Sequence, residues 1–296
     1  MALFRNTMAE LIERTHRILT GDWKGGTCTG TGASSVVDTS RTEPDDYFQN
    51  TVPVSRVRIW STTDGATPQG QERTVSDWVN STGTATVTAA WTTANPATGD
   101  KYVFMSEYKW DEIFHAINEA LDLVKDQAVV EKMDSSLITV NSVYEYAIPA
   151  GFTHIYRVSV ANSDGNFPSP LDSANYKIIR SSITPMLHFR RLDNNSIPDG
   201  WNATGYWADE YFQAGYAIRL EGYGYQPTLL TDFDLCYIDP TYVINQAAAL
   251  LHARRITRMD TEPRGHQAQY RICQDRADAA RPRAVTSFPI GTMRIY

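Results

Sequence analysis

At 296 residues the chain can bury a core of one large or two small domains without disulfides or structural metals. Its three cysteines, Cys28, Cys236 and Cys273, stand far apart with no CxxC pair, which argues against a disulfide framework and a zinc site. A formal net charge of -7 and a pI near 5.4 speak against a general affinity for nucleic acid, and no segment reaches the roughly 18 apolar residues that a membrane-spanning helix needs.

The N-terminal stretch 1–22 predicts a helix. Leu3, Phe4, Met8, Leu11, Ile12, Ile18 and Leu19 recur at three- and four-residue spacing, and Gly21 ends the pattern. The stretch lacks the apolar run of a signal peptide, so synthesis in a reducing cytoplasm is expected. Residues 23–106 then change to a Thr-, Val-, Ser- and Gly-rich texture broken by turn signals. Strands are expected at Ser35–Asp38, Val54–Trp60, Glu72–Val79, Ala85–Ala89 and Lys101–Phe104, enough for a small barrel or sandwich. Gly26, Gly30 and Gly32 read as a flexible loop, because no Lys-Ser or Lys-Thr follows them and no helix opens behind them to cradle a phosphate.

A second amphipathic helix is expected over 107–132, with Trp110, Ile113, Phe114, Ile117, Ala120, Leu121, Val124 and Ala128 on one face. The region 133–239 reads as a second β element. Ser136–Ile148 alternates and turns through Pro149-Ala150-Gly151 into Thr153–Ala161, which predicts a hairpin. Further strands are expected at Tyr176–Arg180, Met186–Leu192, Gly205–Gln213 and Tyr216–Glu221. Two helices fill 240–281. The first starts at Asp239-Pro240-Thr241 with a buried stripe of Val243, Ile244, Ala247, Leu250, Leu251 and Ile256; the second runs from His266 to Ala280 and stops at Arg281-Pro282. The stretch 282–296 reads as an extended tail. The fold class that follows is α+β: a small helical bundle, two helices from each half of the chain, with inserted β-barrel or sandwich modules.

Catalytic and metal patterns find no home. The histidines His16, His115, His154, His188, His252 and His266 share no HExxH or similar ligand spacing. Asp209 and Glu210 are adjacent, so on a strand they would face opposite ways and could not flank one glycosidic bond. Glu43, Asp45 and Asp46 lack the alternating spacing of a calcium loop and read as turn chemistry around Pro44, with Tyr47 and Phe48 as anchors; Asp232 and Asp234 read the same way. No enzyme activity, cofactor or metal is therefore expected.

Two stretches carry a family resemblance. VVDTSRTEPDDYFQN with QERTVSDWVNSTGTATVTAAWTTANPATGDKYVF, and IRLEGYGYQPTLLTDFD with IDPTYVINQAAALLHARRI, resemble segments of head-to-tail adaptor (connector) proteins of tailed bacteriophages. The resemblance covers most of the chain and is weakest between 160 and 205. It implies a structural virion protein of the neck, assembled in the host cytoplasm, forming a dodecameric ring beneath the portal and lining the passage for genomic DNA during ejection. Its implied partners are the portal protein, copies of itself, and a tail or nozzle protein; no membrane partner is implied. In adaptors of this kind the C-terminal tail inserts into the portal, which would make Phe288, Ile290, Met293, Ile295 and Tyr296 apolar anchors and Arg281, Arg283 and Arg294 partners of portal carboxylates. Deleting 284–296 would then leave a folded protein that no longer joins capsids.

Charge adds a further expectation. From His252 to Arg283 eight arginines face four carboxylates, so this basic stretch reads either as a solvated, self-paired helix face or as one that wants acidic neighbours: a copy of the chain, the portal, or DNA in non-specific contact. Arg254, Arg255 and Arg258, with Tyr206 and Trp207, are the candidate subunit-interface residues. The aromatic cluster Trp201, Tyr206, Trp207, Tyr211, Phe212, Tyr216, Tyr223 and Tyr225 reads as core or interface packing, with the alternative of a phage tail protein binding glycan receptors through a β region.

Overall fold

The computed structural model describes residues 5–51, 53–141, 143–162, 164–167, 170–179, 184–189, 215–257 and 263–284. In chain order the elements are β1 (Asn6–Thr7), α1 (Met8–Thr20), β2 (Lys24–Thr27), β3 (Ser35–Val37), β4 (Arg56–Ser61), β5 (Glu72–Val79), β6 (Thr84–Val87) and β7 (Lys101–Met105), followed by α2 (Trp110–Asp122). Then come β8 (Val129–Ile138), β9 (Glu145–Ala147), β10 (His154–Val160), β11 (Tyr176–Ile179), β12 (Met186–Phe189), β13 (Ala217–Tyr225) and β14 (Leu235–Cys236), and the chain closes with α3 (Pro240–Thr257) and α4 (Pro263–Ala284). This is the α+β fold expected. The chain divides into two compact units, and the described part of the second spans Lys125–Pro227.

In the first unit α1 begins at Met8, later than the apolar pattern suggested. Thr7 caps it: its hydroxyl accepts from the Glu10 amide at 3.3 Å, and the Glu10 carboxylate accepts from the Thr7 amide at 2.9 Å. This reciprocal box satisfies two of the donors a helix start leaves unpaired. Just before it, Asn6 and Thr7 pair with Cys236 and Leu235 of β14. Gly21, at φ 78°, closes the helix in the left-handed conformation that glycine tolerates best.

The β module is a six-stranded antiparallel sheet in the order β2-β7-β4-β5-β6-β3. It curls until a bridge between Val37 of β3 and Gly30 joins one edge to the continuation of the other. Inside lie Phe48, Val57, Ile59, Val75, Trp78, Tyr102 and Phe104, with the Phe48 and Phe104 rings stacked at 3.8 Å. The expected strands are present, but the expectation of a flexible glycine loop fails at Gly26, which lies inside β2 and pairs with Tyr102. A Cβ there would come within 2.6 Å of Asp38 Oδ2 and of the Tyr102 hydroxyl; the glycine serves close approach.

The bundle is organised on α3, against which α1, α2 and α4 all pack. A one-sided stripe was expected; instead Asn245 to Ala249 are all buried and Ile244 and Leu250 are half-buried, as befits a helix covered on several sides. On α4 the buried positions are Cys273, Ala277, Ala280 and Ala284, a row of small side chains of which Cys273 packs with Ala248 and Ala249 of α3. Small residues let two helix axes approach closely. The expected stop at Arg281-Pro282 is also corrected: α4 runs through Pro282 to Ala284. The missing N–H and the ring's clash with the preceding turn are local costs, offset here by burial of Ala284 and by an ion pair of Arg283 with Asp239 at 3.1 Å.

The helix expected over 107–132 is shorter than its pattern. It spans Trp110–Asp122, and the β-branched pair Val129-Val130 instead opens β8. In the second unit, β10-β13-β8 and β11-β12-β9 form two antiparallel sheets around Tyr146, Ile155, Val158, Leu187, Phe189, Ile218 and Leu220. The hairpin expected across Pro149-Ala150-Gly151 is not formed. β9 pairs with β12, while β10 pairs with β13, so the turn carries the chain from one sheet to the other. Gly205–Gln213 lies outside the described residues.

Candidate functional site

The polar side chains of the first unit gather in a few knots. The deepest joins β4, α2 and the segment before β14. Trp110 is fully buried, and its indole N–H donates to Asp232 Oδ1 at 2.9 Å. The other oxygen of Asp232 accepts from Arg58 at 3.2 Å, and the Arg58 guanidinium lies 4.9 Å from the centre of the Trp110 ring. Asp111 approaches the same guanidinium at 3.5 Å. The turn chemistry expected for Asp232 and Asp234 holds for Asp234, which accepts the Leu230 and Thr231 amides and the Thr231 hydroxyl; these bonds hold its carboxyl below the usual range. Asp232 instead anchors the barrel to the bundle. Beside it opens a concavity of about 370 Å³ lined by Arg58, Asp111, Phe114, His115, Leu230 and Phe233.

A second knot lies at the mouth of the curled sheet. The Tyr102 hydroxyl donates to Asp38 and accepts from Arg41 Nε, each at 2.6 Å, while the remaining Arg41 nitrogens reach Glu43 at 2.8 Å and the Gly25 carbonyl at 2.7 Å. Burial works to raise the Asp38 pKa, but bonds from Ser40 and Tyr102 hold it below the ordinary value. Burial pushes the Tyr102 phenol up, helped by its bond to Asp38. An outward-facing concavity of about 430 Å³ adjoins this knot. The expected turn around Pro44 is present: Asp45 accepts the Asn80 amide at 2.7 Å and Asp46 the Gln49 side chain at 2.6 Å. Phe48 is buried there, and Tyr47, 38% exposed, packs edge-on against it at 5.0 Å.

Of the expected interface residues, Arg254 and Arg255 on α3 turn toward α2. Arg254 pairs with Glu119, and Arg255 lies 3.8 Å from Glu112 while bonding the Glu107 carbonyl and covering the Tyr108 ring. Both fasten helices of one chain together. Of the portal-docking residues, Arg283 is exposed and pairs with Asp239, the residue whose carboxylate caps α3 through the Thr241 amide at 2.7 Å. Arg281 is exposed on the last turn of α4. Arg258, Tyr206, Trp207, Phe288, Ile290, Met293, Arg294, Ile295 and Tyr296 lie outside the described residues.

One contact escaped sequence spacing. His252 of α3 and His266 of α4 meet Nδ1 to Nδ1 at 3.1 Å, and the Tyr108 hydroxyl lies 3.4 Å from the same His252 nitrogen. Fourteen residues separate the two histidines in sequence, a gap that only the helical hairpin closes. Burial, seconded by the neighbouring His266, pushes the His252 pKa down to about 4. Ring centroids 5.4 Å apart mean the rings point head-on at each other, the geometry of one shared proton. Among the described residues no group of three or more His, Cys, Asp or Glu is placed to hold a metal, and no helix is long and apolar enough to cross a membrane. The three cysteines are unpaired and buried, and burial pushes the Cys28 thiol up to about 12.

Against known proteins, no family model and no curated protein matches this chain.

Proposed function

We propose that the chain is a structural subunit of a tailed-phage neck, one member of a dodecameric head-to-tail adaptor ring that docks beneath the portal, connects capsid to tail and surrounds the DNA passage. What supports this reading is where the resembling segments fall. The first pair supplies β3, β5, β6 and β7 of the curled sheet, from Val36 to Phe104, inserted between α1 and α2. The second pair runs from β13 through the Asp232 anchor into α3, the helix on which the bundle is organised. Residues 285–296 supply the tail that enters the portal, with a tail or nozzle protein on the opposite side and only non-specific contact to DNA. The proposal is tested by negative-stain microscopy of the purified protein with portal rings, comparing the full chain with a deletion of 285–296. Coaxial rings with the full chain and none with the deletion are expected; full-length protein that ignores portals overturns the reading.

A second reading, a tail protein that binds glycans, draws on the second unit. Tyr156 is 39% and Tyr225 40% exposed, and the Tyr156 and Tyr223 rings sit 5.3 Å apart. Exposed aromatic rings on a sheet can stack on sugars. Saturable binding to cell-surface glycans, lost on Tyr156→Ala, with no ring on portals, would favour it.

A further inference from the structure

The two halves of α4 are held to α3 in different ways. From Cys273 to Ala284 every third or fourth side chain is buried, and Arg283 is tied to Asp239. From Arg264 to Ile272 no side chain is buried, and His266 and Tyr270 alone are half-covered. Tyr270 packs against the cluster of Ala248, Ala249 and Cys273, as do Ile18 and Leu19 of α1. His266 meets His252, Nδ1 to Nδ1 at 3.1 Å. This half also contains Gly265, a poor helix former. So short a stretch has little helical stability without packing, so these two side-chain contacts decide whether it stays docked and helical.

One of the two depends on protons. Imidazole nitrogens this close can share one proton, but when both rings are charged each Nδ1 carries a hydrogen and the pair repels. The surroundings do not offset the second charge. Toward α2, His252 faces the Tyr108 hydroxyl at 3.4 Å, and the Arg255 guanidinium covers that ring. The α2 carboxylates on this side, Glu112 and Glu119, lie against Arg255 and Arg254. From α1 the neighbours of the seam are Ile18 and Leu19, while Arg17 pairs with Glu13. On α4 the charged residues nearest His266 in the described sequence are Arg264 and Arg271, both exposed; Asp260 and Glu262, in the connection between the helices, lie outside the described residues. Among the described residues the charge that shifts His252 is that of His266, and no carboxylate does so.

We propose that this histidine pair is an acid-operated latch: with at most one proton between them α4 lies closed on α3, and a second proton releases the half before Cys273 while the half after it stays docked. The latch does not rest on the ring reading. Its sign follows from burial. His252 takes its proton at about 4 when closed and at the ordinary 6.5 once exposed, so closure is complete above that window and is lost as pH falls through it. The test is hydrogen–deuterium exchange of the full chain at about pH 7.5 and about pH 5, corrected for the intrinsic pH dependence of exchange, read in peptides 263–272 and 273–284. Between those conditions the linkage gives about a thirtyfold rise in opening. The first peptide is expected to lose protection by that order while the second changes little. His252→Gln should abolish the rise; His266→Gln, at a half-covered position, gives the His252 nitrogen an oxygen acceptor and should cut it severalfold. Equal loss in both peptides would mean the hairpin comes apart as a whole, and a rise undiminished in His266→Gln would place the responsible proton elsewhere. Either result, or a first peptide whose protection does not change with pH, overturns the latch.

Discussion

A Cβ on Gly26 would meet the Asp38 carboxylate and the Tyr102 hydroxyl at 2.6 Å, two groups already hydrogen-bonded to each other, the hydroxyl also to Arg41. Gly26→Ala must therefore push the knot apart, and a loss of about 1–3 kcal/mol is expected, read as a lower urea midpoint at unchanged slope. His252 makes a pH prediction with a definite sign. Its folded pKa, near 4, lies below the ordinary histidine value of 6.5, so the unfolded chain binds the proton first as pH falls. The stability it contributes is complete above pH 6.5 and is lost between there and pH 4, about 3 kcal/mol at about 1.4 kcal/mol per unit. Urea titrations across that window should show the loss, and His252→Leu should flatten it; an unchanged profile in the variant would assign the loss to other groups, with His16, lowered mainly by burial, the next to examine. Single residues were the least legible scale in the sequence. Asp232 and Asp234 stand two apart in one polar turn, yet one braces the turn and the other anchors a buried tryptophan 122 positions earlier, and local chemistry cannot tell a turn carboxylate from one with a distant partner.

At the scale of elements, the seam between α3 and α4 depends on side chains staying small. Ala277 is fully buried in that seam, and Ala277→Leu is expected to cost about 1–3 kcal/mol or more by overpacking, measured as a fall in melting temperature with helical circular dichroism retained at low temperature. A substitution to leucine at exposed Ala279, on the same helix, should leave it nearly unchanged. Element types were readable because periodicity is local: Glu72–Val79 appears with the predicted bounds, and α1, α2 and α3 lie where three- and four-residue spacing put them. Pairing was not readable, since alternation in β9 and β10 is the same whether the two strands face each other or join separate sheets. The bounds of α2 and α4 were missed for opposite reasons. A pattern of buried residues continued past the end of α2 into a turn, and a tertiary ion pair carried α4 past its proline.

On the scale of the molecule, the second unit leaves the first at Val124 and returns at Thr228. Asn118, on α2, holds the returning chain by both ends of its side-chain amide, donating to the Leu229 carbonyl and accepting from the Leu229 amide, each at 3.0 Å. Departure and return are thus close, so replacing 125–227 with a Gly/Ser linker of about six residues should leave the first unit folded. The expected result is a soluble protein with one cooperative melt and the Trp110 environment preserved in near-UV circular dichroism; a molten product would mean the first unit depends on the second. The C-terminal helices begin at Pro240, where texture put them, while the first unit already resumes at Thr228. Residues 228–238 look like more of the β region in sequence, but they run against α1 and α2 through the Met8, Ala9 and Asn118 contacts.

Helix ends usually fray, and their amides exchange with solvent in the least protected class. The end of α4 is built otherwise, since Ala284 is buried and the neighbouring Arg283 is tied to the carboxylate that caps the start of α3. In deuterium the last amides of α4 should therefore lose their protons together with the first turn of α3 and no sooner, so that a hairpin whose two ends are far apart in the chain opens as a single clasp.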